Sequence, residues 1–298
     1  MPCRNPILIM NVRLGVLLLG TVMAASAGGK ETFRDDRGVD VELSATPRRI
    51  VSLLPSITES VCAIGACALL VGTDRFSNWP ASVVALPKLG GLEDPHVERI
   101  FALKPDLVLA STSERLVDRL EALGLKVIVL ESHNRSDVKR TLAMLGRMLA
   151  VPSAAESVWA EIERETRAAA DRVPLALRGK RVYFEADSAP YAAGPASFIG
   201  ETLTRLGMGN AIPAELGAFP KLNPEYVVRV QPDIVIANSQ SLADMPKRPG
   251  WSSLRALQGR QTCGFPSQRY ELLVRPGPRM GEAAHMLADC LIAIGAQR

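Results

Sequence analysis

The residues able to do chemistry in this 298-residue chain are few and scattered. Its three histidines, His96, His133 and His285, lie far apart and form neither an H-E-x-x-H nor an H-x-H arrangement, so they supply no recognisable metal cage. No G-x-S-x-G elbow, no G-x-x-x-x-G-K-[ST] phosphate loop and no C-x-x-C redox pair occurs. Gly207-Met208-Gly209 looks like the opening of a dinucleotide fingerprint, but Pro213 follows and the third glycine is missing, which suits a helix stop and turn instead. What does recur is an acidic placement: Glu98 stands eight residues before Asp106, and Glu225 eight before Asp233. Each follows Asp94-Pro95 or Asn223-Pro224, in the first turn of an expected helix, where the dipole favours a carboxylate by about 0.3 to 1 kcal/mol. The inventory argues for binding without turnover, so no catalytic residue, cofactor or metal is assigned.

The elements that must hold these residues come in duplicate. Glu98 to Ala110 finds an echo in Glu225 to Ala237, each reading as a short helix, a Pro-Asp break and a buried strand. Leu107–Ala110 and Ile234–Ala237 are too short for helices and have no polar face, as expected of parallel strands covered on both sides. Upstream, residues 49–53 and 181–184 read as strands, each leading into a helix with a Glu six residues before a Gly: Glu59 to Gly65 and Glu201 to Gly207. The fold class is therefore α/β, two Rossmann-like lobes with parallel sheets, residues 28–152 and 174–298. Between them residues 153–173 read as one long rigid bridging helix. Ser153 and Glu156 are spaced as a capping box, Val158, Trp159, Ile162 and Thr166 recur at helical spacing, and Pro174 ends the run. About 20 residues at 1.5 Å each span roughly 30 Å, so the helix is a strut and the cleft beside it is the default ligand site. Thr32 to Leu43, turning at Asp36-Arg37-Gly38, reads as a hairpin.

Composition sets the compartment. Arg4 and Arg13 precede the apolar run Leu14–Ala24, and Ala25-Ser26-Ala27 offers small residues for cleavage, so residues 1–27 read as a signal peptide of a soluble periplasmic product. Met10 is an alternative start to Met1, because Met10-Asn11-Val12-Arg13 is the better charged region. The formal charge of +4, from 35 basic and 31 acidic residues, loses two positive charges with that leader; together with 5% aromatics it gives no field or stacking platform for nucleic acid. Cys62, Cys67, Cys263 and Cys290 remain in an oxidising space with three possible pairings, which the spacing leaves open; the Cys62 and Cys67 positions also suit small buried hydrophobes.

Residues 50–59 (IVSLLPSITE), 71–80 (VGTDRFSNWP), 86–91 (LPKLGG), 103–108 (LKPDLV), 191–199 (YAAGPASFI) and 230–233 (VQPD) resemble the helical-backbone periplasmic substrate-binding proteins of ABC importers, receptors for vitamin B12, ferric siderophores and haem. The likeness runs in order through nearly the whole mature chain and is nearest to the vitamin B12 receptors. It implies a corrinoid held between the lobes, and Glu98 and Glu225 docking to arginines of a membrane permease dimer, the carrier itself being a monomer. Ligand contacts are expected from loops at the carboxyl ends of the strands. Pro55, Ser56, Phe76 and Ser111 come from the first lobe, and Tyr191, Phe219, Asn238 and Arg275 from the second. Phe76, Tyr191 and Phe219 offer faces to a broad macrocycle; Ser111, Asn238 and Arg275 offer edge hydrogen bonds, with Arg279 and Glu271 as secondary candidates. Where the B12 receptors carry Trp, this chain has Phe219, Ser111 and a glycine near Gly91, so a haem or ferric siderophore is the alternative cargo. Haem would use Tyr191, Tyr270 or His133 as axial ligand, and a siderophore would use Arg275, Arg279 and Arg248. A cofactor chaperone or enzyme on the same fold is the remaining reading. Trp159 and Trp251 are expected in the core.

Overall fold

The structure, a computed structural model, describes Met1 and residues 30–91, 94–112, 114–188 and 190–296; apart from Met1, the leader read at residues 1–27 lies outside them. The hairpin forms as expected from β1 (Glu31–Arg34) and β2 (Asp40–Leu43). Asp35 locks its turn by accepting from the Arg37 and Val39 amides at 2.9 and 3.0 Å. The first lobe follows with β3 (Ile50–Ser52), α1 (Pro55–Ala63), β4 (Leu70–Thr73), α2 (Val97–Ala102), β5 (Leu107–Ala110), α3 (Glu114–Ala122), β6 (Val127–Val129) and α4 (Arg135–Met148). Then comes α5 (Pro152–Arg172). The second lobe has β7 (Arg181–Asp187), β8 (Tyr191–Ala192), α6 (Phe198–Arg205), β9 (Gly209–Asn210), α7 (Pro224–Val230), β10 (Ile234–Asn238), α8 (Ser239–Asp244), α9 (Arg255–Gln258), β11 (Thr262–Phe265), α10 (Ser267–Leu273) and α11 (Met280–Gly295).

Both lobes carry a parallel sheet with the same winding. The first is ordered β4-β3-β5-β6 and the second β9-β7-β10-β11, so in each the first strand lies between the second and third. The one antiparallel addition is the two-residue β8 on β7. β5 and the Ile234–Ala237 stretch of β10 are fully buried, which explains their lack of alternation. Gly65 and Gly207 stop α1 and α6 with φ near +84°, a conformation glycine adopts without a Cβ clash.

The duplication extends to hydrogen bonds that spacing did not reveal. Asp106 Oδ2 accepts from the Arg49 amide at 2.9 Å, and Asp233 Oδ2 from the Arg181 amide at 2.8 Å. The same two arginines send their guanidinium groups to carbonyls at the ends of α2 and α7: Arg49 to Leu103 at 2.6 Å and Arg181 to Val230 at 3.1 Å. Each Pro-Asp break is preceded by a residue with positive φ, Lys104 at 47° and Gln231 at 50°. The Pro-Asp pair therefore ties the end of a helix to the start of the neighbouring strand in both lobes.

The strut forms, but its start differs from the capping-box reading. Pro152 occupies the first helical turn and Val151 is the cap, with no side-chain capping bond, so Ser153 is already inside the helix and its carbonyl accepts from the Ser157 hydroxyl. The capping box belongs instead to α4, where Asn134 accepts from the Asp137 amide at 2.9 Å. Ala155, Ile162, Thr166 and Ala169 line the buried side of α5. The helix is sandwiched between α4 and α11 at positions where those helices carry glycine. A Cβ built on Gly146 would stand 2.6 Å from the Ala155 Cβ, and one on Gly281 2.6 Å from the Glu165 Cβ. Trp159 lies partly buried under Arg135, and Trp251 is fully buried, as expected of core residues. The cysteines pair as Cys62–Cys67 and Cys263–Cys290, closing one short turn after α1 and joining β11 to α11.

Gly146→Val would force α4 away from the strut. We expect a loss of about 2 kcal/mol of stability, measured by urea unfolding, because overpacking between two helices has no flexible side-chain end to yield.

Candidate ligand-binding cleft

The switch point of each sheet lies between its first and third strands, where the loops leaving their carboxyl ends are the usual place for a ligand. On the first lobe, β3 runs into Leu54 and Pro55 while β4 runs into Asp74, Arg75 and Phe76. With Gly91 these line a cavity of about 340 Å³. Its shape depends on a buried polar knot. Asp74 Oδ1 accepts from the Phe76 amide at 2.7 Å, and its Oδ2 accepts from the Ser77 hydroxyl. Ser77 in turn meets Thr58 at 2.9 Å, and Thr58 donates to Ser52 at 2.9 Å. Burial pushes the Asp74 carboxyl above the ordinary aspartate range, opposed by the Ser77 hydroxyl and the Phe76 amide. Lys88 anchors the same loop through the Thr73 hydroxyl and the Ser77 and Val83 carbonyls, and burial lowers its pKa. The knot leaves Phe76 54% exposed, its ring beneath the Arg75 guanidinium at 4.9 Å.

Next to this cavity an ion cluster joins the lobes. Glu59, on α1 and 1% exposed, accepts from Arg275 Nη1 at 2.8 Å, Arg279 Nε at 2.9 Å and Arg279 Nη2 at 3.0 Å. Arg275 also donates to Asn78 Oδ1 at 2.8 Å, the Phe76 carbonyl at 3.2 Å and Glu271 at 2.6 Å. The Arg279 guanidinium lies 4.8 Å from the Trp79 ring centre. A counterpart crosses the other way. Glu201, on α6, accepts from the Arg135 amide at 2.7 Å, and the Phe198 amide donates to the His133 carbonyl at 2.8 Å. Arg135 is 3% exposed, binds Glu163 of the strut at 2.7 Å, and has its pKa lowered by burial. In each lobe, then, the first crossover helix offers a Glu to an Arg at the start of the other lobe's last long helix.

Pro55 and Phe76 line the 340 Å³ cavity; Ser56 and Ser111 line a smaller space of about 50 Å³ with Pro276 of the second lobe. Arg275 adjoins both but has its donors engaged in the ion cluster. Tyr191 is 37% exposed and close to Lys221, whose ammonium is 5.9 Å from the ring. Phe219 is partly buried and tilts against Phe198 at 5.8 Å. Asn238 caps α8 by accepting from the Gln240 amide and donates to Ser267, so both ends of its amide have partners. Of the axial-ligand candidates, Tyr270 is buried with its hydroxyl on the Glu185 carbonyl, while His133 is exposed beside Glu131. Arg248 forms a two-pronged pair with Glu185. Glu59, Asp74, Asn78 and Trp79 had no place in the sequence assignment of the cleft. The available signal was the run Thr58-Glu59-Ser60, three polar residues that the helical pattern leaves on buried positions of α1.

Glu98 and Glu225 occupy the second position of α2 and α7, both exposed. Helices that connect parallel strands run opposite to them, so both start at the cleft end of their sheets. Arg119 approaches Glu98 at 3.6 Å, an exposed pair that holds the carboxylate only weakly.

A family model described as periplasmic binding protein matches residues 50–268. A relative from Bacillus subtilis (strain 168), an uncharacterized ABC transporter substrate-binding lipoprotein, YvrC, is 26% identical across 95% of this chain and 98% of its own length. The cobalamin-binding protein of Halobacterium salinarum is 31% identical across 69% of this chain and 58% of its own. Among solved structures, the periplasmic heme-binding protein RhuT from Roseiflexus sp. RS-1 superposes with a TM-score of 0.70 at 24% identity, covering 83% of this chain and 98% of that one, a likeness of fold. Two equally wound lobes, a single helical strut and a cleft between them accompany a match over most of the sequence: the chain belongs to the periplasmic binding protein family.

Proposed function

We propose that this protein is the periplasmic substrate-binding component of an ABC importer and that its cargo is a corrinoid, an uncharged macrocycle fringed with amides. The observation that carries the ligand class is charge balance in the cleft. Among the described residues, Arg75 is paired with Asp94, Arg275 with Glu59 and Glu271, and Arg279 with Glu59 and the exposed Glu282. A cleft so neutralised offers aromatic faces at Phe76, Trp79 and Tyr191 and hydrogen-bonding edges at Ser56 and Ser111, which suits a broad ring with neutral arms. An anionic ferric chelate would have to break these pairs to use Arg75, Arg275 or Arg279 as its counter-charge. The cobalamin-binding relative from Halobacterium supports the same ligand. A second reading, haem, is favoured by the half-exposed Tyr191 beside Lys221, an axial phenol with a cation in reach of a propionate.

Glu98 and Glu225 are the docking carboxylates in this reading, standing on the same end of the two lobes to meet basic groups of a permease dimer. The carrier acts as a monomer, since both lobes must face the permease. It works outside the inner membrane, freed by leader cleavage or tethered as in the Bacillus lipoprotein relative.

Calorimetric titration of the mature protein with cyanocobalamin, haemin and a ferric hydroxamate is expected to give tight one-to-one binding of cyanocobalamin alone; preference for haemin would replace the corrinoid with the second reading. Charge reversal at both docking positions, Glu98→Arg with Glu225→Arg, is expected to abolish uptake in cells while cyanocobalamin affinity stays within about twofold. Loss of affinity in that variant would remove the docking assignment.

A further inference from the structure

The ion cluster beside the cavity holds more charge than clamping two lobes requires. Two arginines converge on Glu59 from the second lobe, and a second carboxylate, Glu271, sits on Arg275 from the solvent side. The side chains of Arg275 and Arg279 are 10% and 18% exposed, Glu59's is 2% and Glu271's is 45%. Arg275 reaches the Phe76 carbonyl, in the wall of the larger cavity, and its neighbour Pro276 lines the smaller one. Arg279 carries the partly exposed Trp79 on its face. These guanidinium groups join Arg75, which lies 4.9 Å from the Phe76 ring centre and is paired with Asp94, as the cations beside anything seated on Phe76 and Trp79; Glu59 and Glu271 offset them, and the exposed Glu282 approaches Arg279 at 3.8 Å.

We propose that Glu59 and Glu271 set the charge selectivity of the cleft: by offsetting Arg275 and Arg279 they make it accept an uncharged chelate and turn away an anionic one. Glu59 acts as a positioning residue. Both its oxygens are occupied by the arginines, so it meets the ligand only through the orientation and net charge it imposes on them. Glu271 does the same from an accessible position. Removing either carboxylate leaves the guanidinium groups in place and makes the cluster more positive by one charge, a change that acts on a bound anion from a partly exposed site and is therefore open to salt screening. The inference rests on the corrinoid reading above and gives the same protein a latent affinity for a different ligand class.

The test compares cyanocobalamin with a trianionic ferric tricatecholate, ferric enterobactin, by fluorescence quenching in wild-type protein and in Glu59→Gln and Glu271→Gln. Wild type is expected to prefer cyanocobalamin. Each variant is expected to move the affinity ratio towards the tricatecholate by about tenfold at low salt, an effect that shrinks several-fold in about 0.5 M NaCl. Adding Arg279→Gln to Glu59→Gln restores the wild-type net charge and is expected to return the ratio to its wild-type value, which a purely structural role would not do. Glu59→Gln leaves arginines partly unpaired in a buried site and loses stability. Should it not fold, Glu271→Gln carries the test alone, because Arg275 there keeps its bond to Glu59. A ratio unchanged in Glu271→Gln, or a shift insensitive to salt, overturns the proposal. Failure of the wild type to bind cyanocobalamin would count against the corrinoid reading; a charge-dependent shift in the variants would still uphold the role of the two carboxylates.

Discussion

The two lobes are registered against each other by a crossed pair of contacts: Glu59 to Arg275 and Arg279 in one direction, Glu201 to Arg135 in the other. Buried ion pairs add little net stability, since desolvating both partners offsets most of their attraction. Leaving one partner alone is costly, about 3 to 5 kcal/mol in comparable sites. That asymmetry makes the clasps effective at fixing orientation. Any rotation of one lobe that separated Glu59 from its arginines would leave buried charge unpaired, so the lobes keep their relative placement although only one helix connects their sheets. Arg135 adds the strut to the same network through Glu163, which also binds Arg205 of α6 at 2.9 Å.

The duplication explains why such a clasp can form at all. Each lobe has the same strand winding and the same Pro-Asp tie, with Asp106 and Asp233 on the amides of Arg49 and Arg181. Facing copies of one unit place the first helix of each opposite the last long helix of the other, so a Glu on the first meets a donor at the start of the last in both directions, a guanidinium in one and a backbone amide in the other. The copies then diverge where function differs. The second lobe inserts α10 before α11 and so brings Arg275 and Glu271 to the cleft, whereas the first lobe goes directly from β6 into α4. The acceptor on the first lobe binds two guanidinium groups, while its counterpart on the second receives one backbone amide.

Much of this architecture was legible in the sequence because it is local. Strand runs without a polar face, glycine six residues after a helical Glu, and the echo of Glu98–Ala110 in Glu225–Ala237 are all properties of short windows. The cap of the strut was misread for a local reason too: Ser153 and Glu156 have the right spacing, but Pro152 is the better first helical residue, and it moves the start upstream. The cleft was legible only in part. Pro55, Ser56, Phe76 and Ser111 follow their strands within a few residues, and they line the two cavities described above. Arg275 was identified as an edge donor, but its partners lie 216 and 197 residues away at Glu59 and Asn78, a pairing that no spacing encodes. Phe219 and Asn238 are set by neighbours, a ring contact with Phe198 and the cap of α8, that strand order alone does not reveal.

A carrier built in this way must do its selecting before it closes. The strut meets α4 and α11 at glycine positions with no slack for an added methyl group, and the clasps penalise rotation, so induced closure has little amplitude with which to improve a poor fit. Selectivity then has to be present in walls that are already set. The Asp74 knot meets that demand on the first lobe: its carboxyl, pushed above the usual range by burial, is tied to Ser77 and the Phe76 amide and fixes the loop that presents Phe76. Lys88 fastens the same loop to three oxygens from behind. On this argument the identity of the cargo follows from the resting shape and resting charge of the cleft, and both trace back to side chains that are themselves buried.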